Sequence, residues 1–121
     1  MKKLILTAII ILTFQYTNAQ LNANAKFFKE KSAKLYNPIK DAAVKEWGTD
    51  NSMVVYMINK QCDALNKLMV ESPYKEYVKS EKGTSKRKFF TEVFLEWTKG
   101  TFTDYAMVVY KIKNREKNPN F

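Results

Sequence analysis

Residues 46–58 read Glu46-Trp47-Gly48-Thr49-Asp50-Asn51-Ser52-Met53-Val54-Val55-Tyr56-Met57-Ile58, and the chain later repeats the phrase. The second copy begins Glu96-Trp97, continues with Gly100-Thr101, and closes Asp104-Tyr105-Ala106-Met107-Val108-Val109-Tyr110-Lys111-Ile112. Both follow E-W, G-T, D-x-[small]-M-V-V-Y-x-I, with four extra residues in the second connection. Matching flanks in the same order mark an internal duplication, the signature of a repeated supersecondary unit. A helix ending in Trp, a tight Gly-Thr turn and a second helix capped by Thr or Asp make each copy an αα-hairpin. The expected fold is all-α: a small helical bundle of two related hairpins, within 38–70 and 86–116. They would pack about a pseudo-twofold axis, with a leading amphipathic helix on a remaining face.

Outward from the first copy, Val54, Ile58, Cys62, Leu65 and Met69 advance in steps of four, four, three and four, an apolar helical stripe that encloses the one Cys. Upstream, Leu21, Ala25, Phe28, Ser32 and Leu35 alternate with Lys26, Lys29, Lys31 and Lys34. That pattern predicts a basic-faced helix over 21–36, stopped by Asn37-Pro38, with Pro38 opening the next helix. Downstream, Ser72-Pro73 ends the stripe and residues 74–80 suit a short helix. A polar run, SEKGTSKRK, follows from Ser80 to Lys88, and Phe90, Val93 or Phe94, and Trp97 mark another helical face. Residues 101–117 have the composition of a strand as well as the spacing of a helix; the first copy decides for helix.

The N-terminus, MKKLILTAIIILTFQYTNAQ, has the three parts of an export signal: Lys2 and Lys3, the apolar run Leu4 to Phe14, and Thr17-Asn18-Ala19 before cleavage. The apolar run falls short of the roughly 20 residues of a membrane span, and no Cys near the cleavage site supports lipid attachment. A signal peptide over 1–19 and a single helical domain over 20–121 are expected, in the periplasm or secreted. Cys62 is then an odd thiol in an oxidising compartment, and its place in the stripe favours burial.

Counts restrict the chemistry. With no His and one Cys, a Ser-His-Asp triad, a Cys-His pair, a His metal site and an internal disulfide are all excluded. Glu46, Asp50, Glu96 and Asp104 are paired by the repeat. Four carboxylates can hold a hard cation or act as acid and base, but helix caps for Asp50 and Asp104 and surface charges for Glu46 and Glu96 are the simpler account. Gly83-Thr84-Ser85-Lys86 lacks the spaced glycines of a phosphate loop. No catalytic residue, cofactor or metal is expected.

The first copy continues to Gln61, giving W-x-x-D-x-x-M-V-V-Y-x-x-x-x-Q over Trp47, Asp50, Met53, Tyr56 and Gln61. This resembles small uncharacterised exported bacterial proteins that carry one or two W-x-x-D-x-x-M-x-x-Y-x-x-x-x-Q segments. The resemblance covers about a quarter of the chain and implies helical hairpins, with no activity attached. In the second copy Trp97, Asp104, Met107 and Tyr110 follow the pattern over a longer connection, and Arg115 stands where Gln61 corresponds. The motif residues read as structural: tryptophans packed where helices meet with their indole N–H groups bonded, tyrosines in the core with a wet tip, and methionines between the hairpins.

Charge carries the functional reading. The chain has 21 Lys and Arg against 12 Asp and Glu, a formal +9 that falls by two when Lys2 and Lys3 leave with the signal. Lys79, Lys82, Lys86, Arg87 and Lys88 form one cluster, flanked by Tyr74, Tyr77, Phe89 and Phe90; Lys111, Lys113, Arg115 and Lys117 form another. Basic residues beside aromatics suit nucleic acid, but export argues against that partner. The expectation is a non-catalytic binding protein of the cell envelope, of inhibitor or immunity type, whose basic face (Lys79, Lys82, Lys86, Arg87, Lys88, Tyr74, Tyr77) meets an acidic protein. The alternative is a binder of anionic lipid or lipopolysaccharide, and the third reading is a carboxylate enzyme or metal binder.

Overall fold

The computed structural model describes residues 20–118; the expected signal peptide, 1–19, lies outside the described residues. Among the described residues six helices and one two-stranded hairpin follow one another: α1 (Ala23–Lys31), α2 (Ala33–Trp47), α3 (Asn51–Val70), α4 (Tyr74–Lys79), α5 (Ser85–Glu96), β1 (Thr98–Lys99), β2 (Phe102–Thr103) and α6 (Tyr105–Lys117). The fold is all-α, as the repeat predicts. Among the described residues no helix is long and apolar enough to cross a membrane.

The two bends that decide the fold share one local geometry. Gly48 and Gly100 take positive φ of 55° and 64°, a conformation that glycine adopts without a Cβ penalty. Asp50 and Asp104 then sit at φ −78°, ψ 86° and φ −79°, ψ 86°, and each carboxylate accepts the N–H of its Met, Met53 or Met107, at 3.2 Å. In both copies the Asp N–H donates to the Trp carbonyl, at 3.0 Å to Trp47 and 2.9 Å to Trp97. The four extra residues make a β-hairpin, Thr98 opposite Thr103 and Lys99 opposite Phe102, closed by that same bond.

Each hairpin has a short helix ahead of it, so the repeated body is a three-helix unit: α1–α2–α3, then α4–α5–α6. Each short helix inserts one aromatic ring. Phe28 of α1 and Tyr77 of α4 are the largest fully buried side chains. The core correspondingly has two parts. One joins Ala25, Phe28, Tyr36, Ile39 and Ala43 to Val54, Ile58, Cys62 and Leu65; the other joins Ala64 and Leu68 to Tyr77, Val93, Val108, Val109 and Ile112.

The relation between the units is not the expected pseudo-twofold. The start of α6 meets α3 at Gln61, and the body of α6 packs on Ala64 and Leu68, further along α3. The two helices therefore run in the same direction, offset by about three turns, or roughly 16 Å. This is the stacking of a short solenoid, in which one unit leans on the next. The extra hairpin secures it, because β2 lies against α2 and Phe102 packs on the first core.

Three local expectations are corrected. The predicted leading helix breaks at Ser32 (φ −145°, ψ 61°), not at Asn37-Pro38, and Pro38 lies inside α2, near its start, where it forfeits one backbone bond. Met69 is 43% exposed; Leu68 takes its place in the core, because the face of α3 turned to α6 differs from the one turned to α1 and α2. Gln20 and Asn22 are held to α3 through polar side chains: Asn59 donates to the Gln20 carbonyl and accepts the Asn22 N–H, while Asp63 takes amide N–H bonds from Asn22 and Asn24 at 2.9 Å.

Candidate functional site

The basic cluster divides in two. Lys79, Lys82 and Lys88 are exposed and form no ion pair among the described residues. Arg87 is half-buried, its Nη1 donating to the Val78 carbonyl at 2.8 Å at the end of α4. Lys86 lies over the Tyr77 ring, 5.3 Å from its centroid.

Tyr77 is not the surface anchor that the sequence suggests, being 1% exposed, and Tyr74 is half-buried against the same core. The Tyr77 ring meets Phe89 edge-on at 6.0 Å, and the Arg115 guanidinium lies over both rings. Its hydroxyl donates to Glu116 at 2.5 Å and accepts from Arg115 Nη1 at 2.9 Å. Burial, reinforced by the Glu116 carboxylate, pushes the phenol above its ordinary value despite the Arg115 charge. Sequence reading missed this because aromatics beside lysines look like a surface patch; the partners that draw Tyr77 inward lie on α6.

Between α5 and α6 a groove of about 520 Å³ opens. Phe89 and Val93 form its floor. One wall, on α5, carries Glu92 and Glu96; the other, on α6, carries Lys111, Asn114 and Arg115. Among the described residues no ion pair joins the walls. The groove continues past Arg115 to Lys88, Ser85 and Gly83 at the head of α5, so it drains into the lysine-rich turn. Arg115 is fixed in place, its Nη2 donating to Ser85 Oγ at 2.7 Å. The site therefore presents an apolar floor, a cationic wall with one immobilised guanidinium, and an acidic wall opposite.

Four of the first copy's motif residues meet where the two units join. Trp47, Met53, Tyr56 and Gln61 border one recess of about 190 Å³ with Glu46 and Lys60, and Asp104 enters it from the second unit. Gln61, 4% exposed, donates to Asp104 Oδ1 at 2.9 Å and accepts the Ala106 N–H at 3.3 Å. This is the joint between units. Asp104 is thus a cap that also accepts a bond across the joint, while Asp50 is an exposed cap. Glu46 and Asp104 share the recess; Asp50 and Glu96 do not line it.

Other motif residues depart from expectation. Tyr56 and Tyr110 are 59% and 53% exposed, not core, because each lies on the outer side of its helix. Trp47 is 38% exposed at the rim of the recess. Trp97 packs on the second core, and its indole N–H is buried without an acceptor. Cys62, by contrast, is fully buried as its place in the stripe favours, and burial followed by the nearby Asp63 charge pushes its thiol from an ordinary 9.0 to about 11. No protein-family model matches the chain, and no curated protein or solved structure matches it either.

Proposed function

We propose that this is an exported binding protein without catalytic chemistry of its own, which holds an acidic protein partner in the manner of an inhibitor or immunity protein. The observation that carries this reading is the α5–α6 groove opening onto Lys88, one of three exposed lysines that form no ion pair among the described residues. Exposed cations steer encounter and respond to salt, whereas an apolar floor flanked by a fixed guanidinium gives contacts that salt weakens less. Arg115 is suited to a carboxylate because its stacking on Tyr77 and Phe89 removes much of the entropy cost of ordering it.

The test is capture from the native envelope fraction by the chain from Gln20 onward, washed at low and at high salt. A stoichiometric protein that survives the high-salt wash supports the reading. Recovery of anionic lipid alone, released by salt, sinks it in favour of the electrostatic alternative, which draws on the same exposed Lys79, Lys82 and Lys88.

A further inference from the structure

The two units cover the same positions to different degrees, leaving a recess of about 190 Å³ on unit 1 and a groove of about 520 Å³ on unit 2. Aligning Trp47 with Trp97 and Met53 with Met107 pairs Ile39 with Phe89, Ala43 with Val93, Glu46 with Glu96, Met57 with Lys111 and Gln61 with Arg115. In unit 1, Ile39, Ala43 and Gln61 are closed over. The segment lying there runs from Phe102 to Ala106: β2 against α2, Phe102 and Tyr105 on the first core, and Asp104 and Ala106 bonded to Gln61 on α3. In unit 2 the corresponding face is the open groove between α5 and α6.

We propose that the groove receives a segment of the partner protein that passes from strand to helix, with an aromatic side chain beside a single carboxylate, seated as Phe102 to Tyr105 are seated on unit 1. The proposal rests on the protein-binding reading above. Phe89 and Val93 would take the aromatic ring. The carboxylate would face α6, where Gln61 and Met57 of unit 1 are replaced by Arg115 and Lys111, two cations in place of neutral groups. A charge-assisted bond from a guanidinium is stronger than the amide bond that suffices at the joint. The opposite wall sets the limit: Glu92 and Glu96 repel a polyacidic segment, so the groove selects one carboxylate in a defined place, not overall negative charge.

The chain's own joint supplies the probe. A labelled, end-blocked peptide Thr-Phe-Thr-Asp-Tyr-Ala is titrated into the protein and followed by fluorescence anisotropy. Saturable binding is expected, weakened about tenfold or more when the peptide Asp becomes Asn, and similarly by Lys111→Glu in the protein. Asn114→Trp, which fills the groove from a half-buried wall position, should abolish binding while leaving the melting temperature close to wild type. No saturable binding at millimolar peptide, equal binding to Asn114→Trp, or an equal response to oligoglutamate would each overturn the proposal. The two levels remain separable. An envelope protein captured equally by Asn114→Trp removes the groove and spares the binding function; peptide binding without any captured protein does the reverse.

Discussion

Asp50 and Asp104 occupy the same backbone conformation to within a degree and cap their helices with bonds of the same length. Asp50 is nonetheless exposed, while Asp104 is gripped by Gln61 of the preceding unit. The contrast teaches that the duplicated phrase encodes a bend, and that the surroundings of the bend are set by residues outside the phrase. In unit 1 the buried aromatic is Phe28 and the later helix offers Gln61 and Cys62. In unit 2 the aromatic is Tyr77, and Arg115 and Glu116 stand at the matching positions, where they satisfy its hydroxyl. One polar atom added to a core ring is answered by two charged groups on the neighbouring helix, as a buried hydroxyl requires.

Removing an anchor ring should do the most damage to either unit. Phe28→Ala and Tyr77→Ala should each cost about 3–5 kcal/mol. Urea unfolding followed separately by Trp47 and by Trp97, in Trp97→Phe and Trp47→Phe backgrounds, should still give coincident transitions. Two separated midpoints would show that the units are independent.

Next in size is alkaline destabilisation. The Cys62 thiol titrates higher in the folded chain than in the unfolded one, so the folded state holds its proton longer. Its contribution is complete below about pH 9 and is lost as pH rises through about 11; the separation corresponds to about 2–3 kcal/mol. Cys62→Ala should flatten the loss across that interval in urea titrations, and an unchanged slope would count against burial of the thiol.

Gln61→Met keeps the volume and removes both bonds of the joint. It should cost about 1–2 kcal/mol, with the Ala106 N–H left without its side-chain acceptor. The smallest test separates the two caps. Asp50→Ala should lower stability by about 0.5–1 kcal/mol and Asp104→Ala by about twice that, since only Asp104 also accepts from Gln61. Equal losses would mean that the joint bond contributes nothing.

The all-α class, the Gly-Thr bends and both Asp caps are legible in the sequence, because they depend on residues adjacent in the chain. The stacking is not. Four extra residues after Trp97 read as slack in a connection, yet they carry Phe102 to the other unit. Gln61 is visible as a motif position, but its partner, Asp104, lies 43 residues away. Tyr77 reads as a surface residue among lysines for the same reason: its fate depends on Phe89, Arg115 and Glu116, which no local window contains. The groove is hidden too, since it exists only because the equivalent of an occupied face is left open.

The hairpin that carries Phe102 also orders events in time. Bonds inside the first unit already span 37 to 41 residues and those of the joint 43 to 45, so the difference is one of order along the chain: residues 20–70 all precede Phe102, Asp104 and Ala106, which close the joint on α2 and α3. A chain synthesised N-terminus first would therefore complete its first three helices with Ile39, Ala43 and Gln61 still uncovered. For that interval the nascent first unit would offer the same kind of open face that the finished second unit keeps.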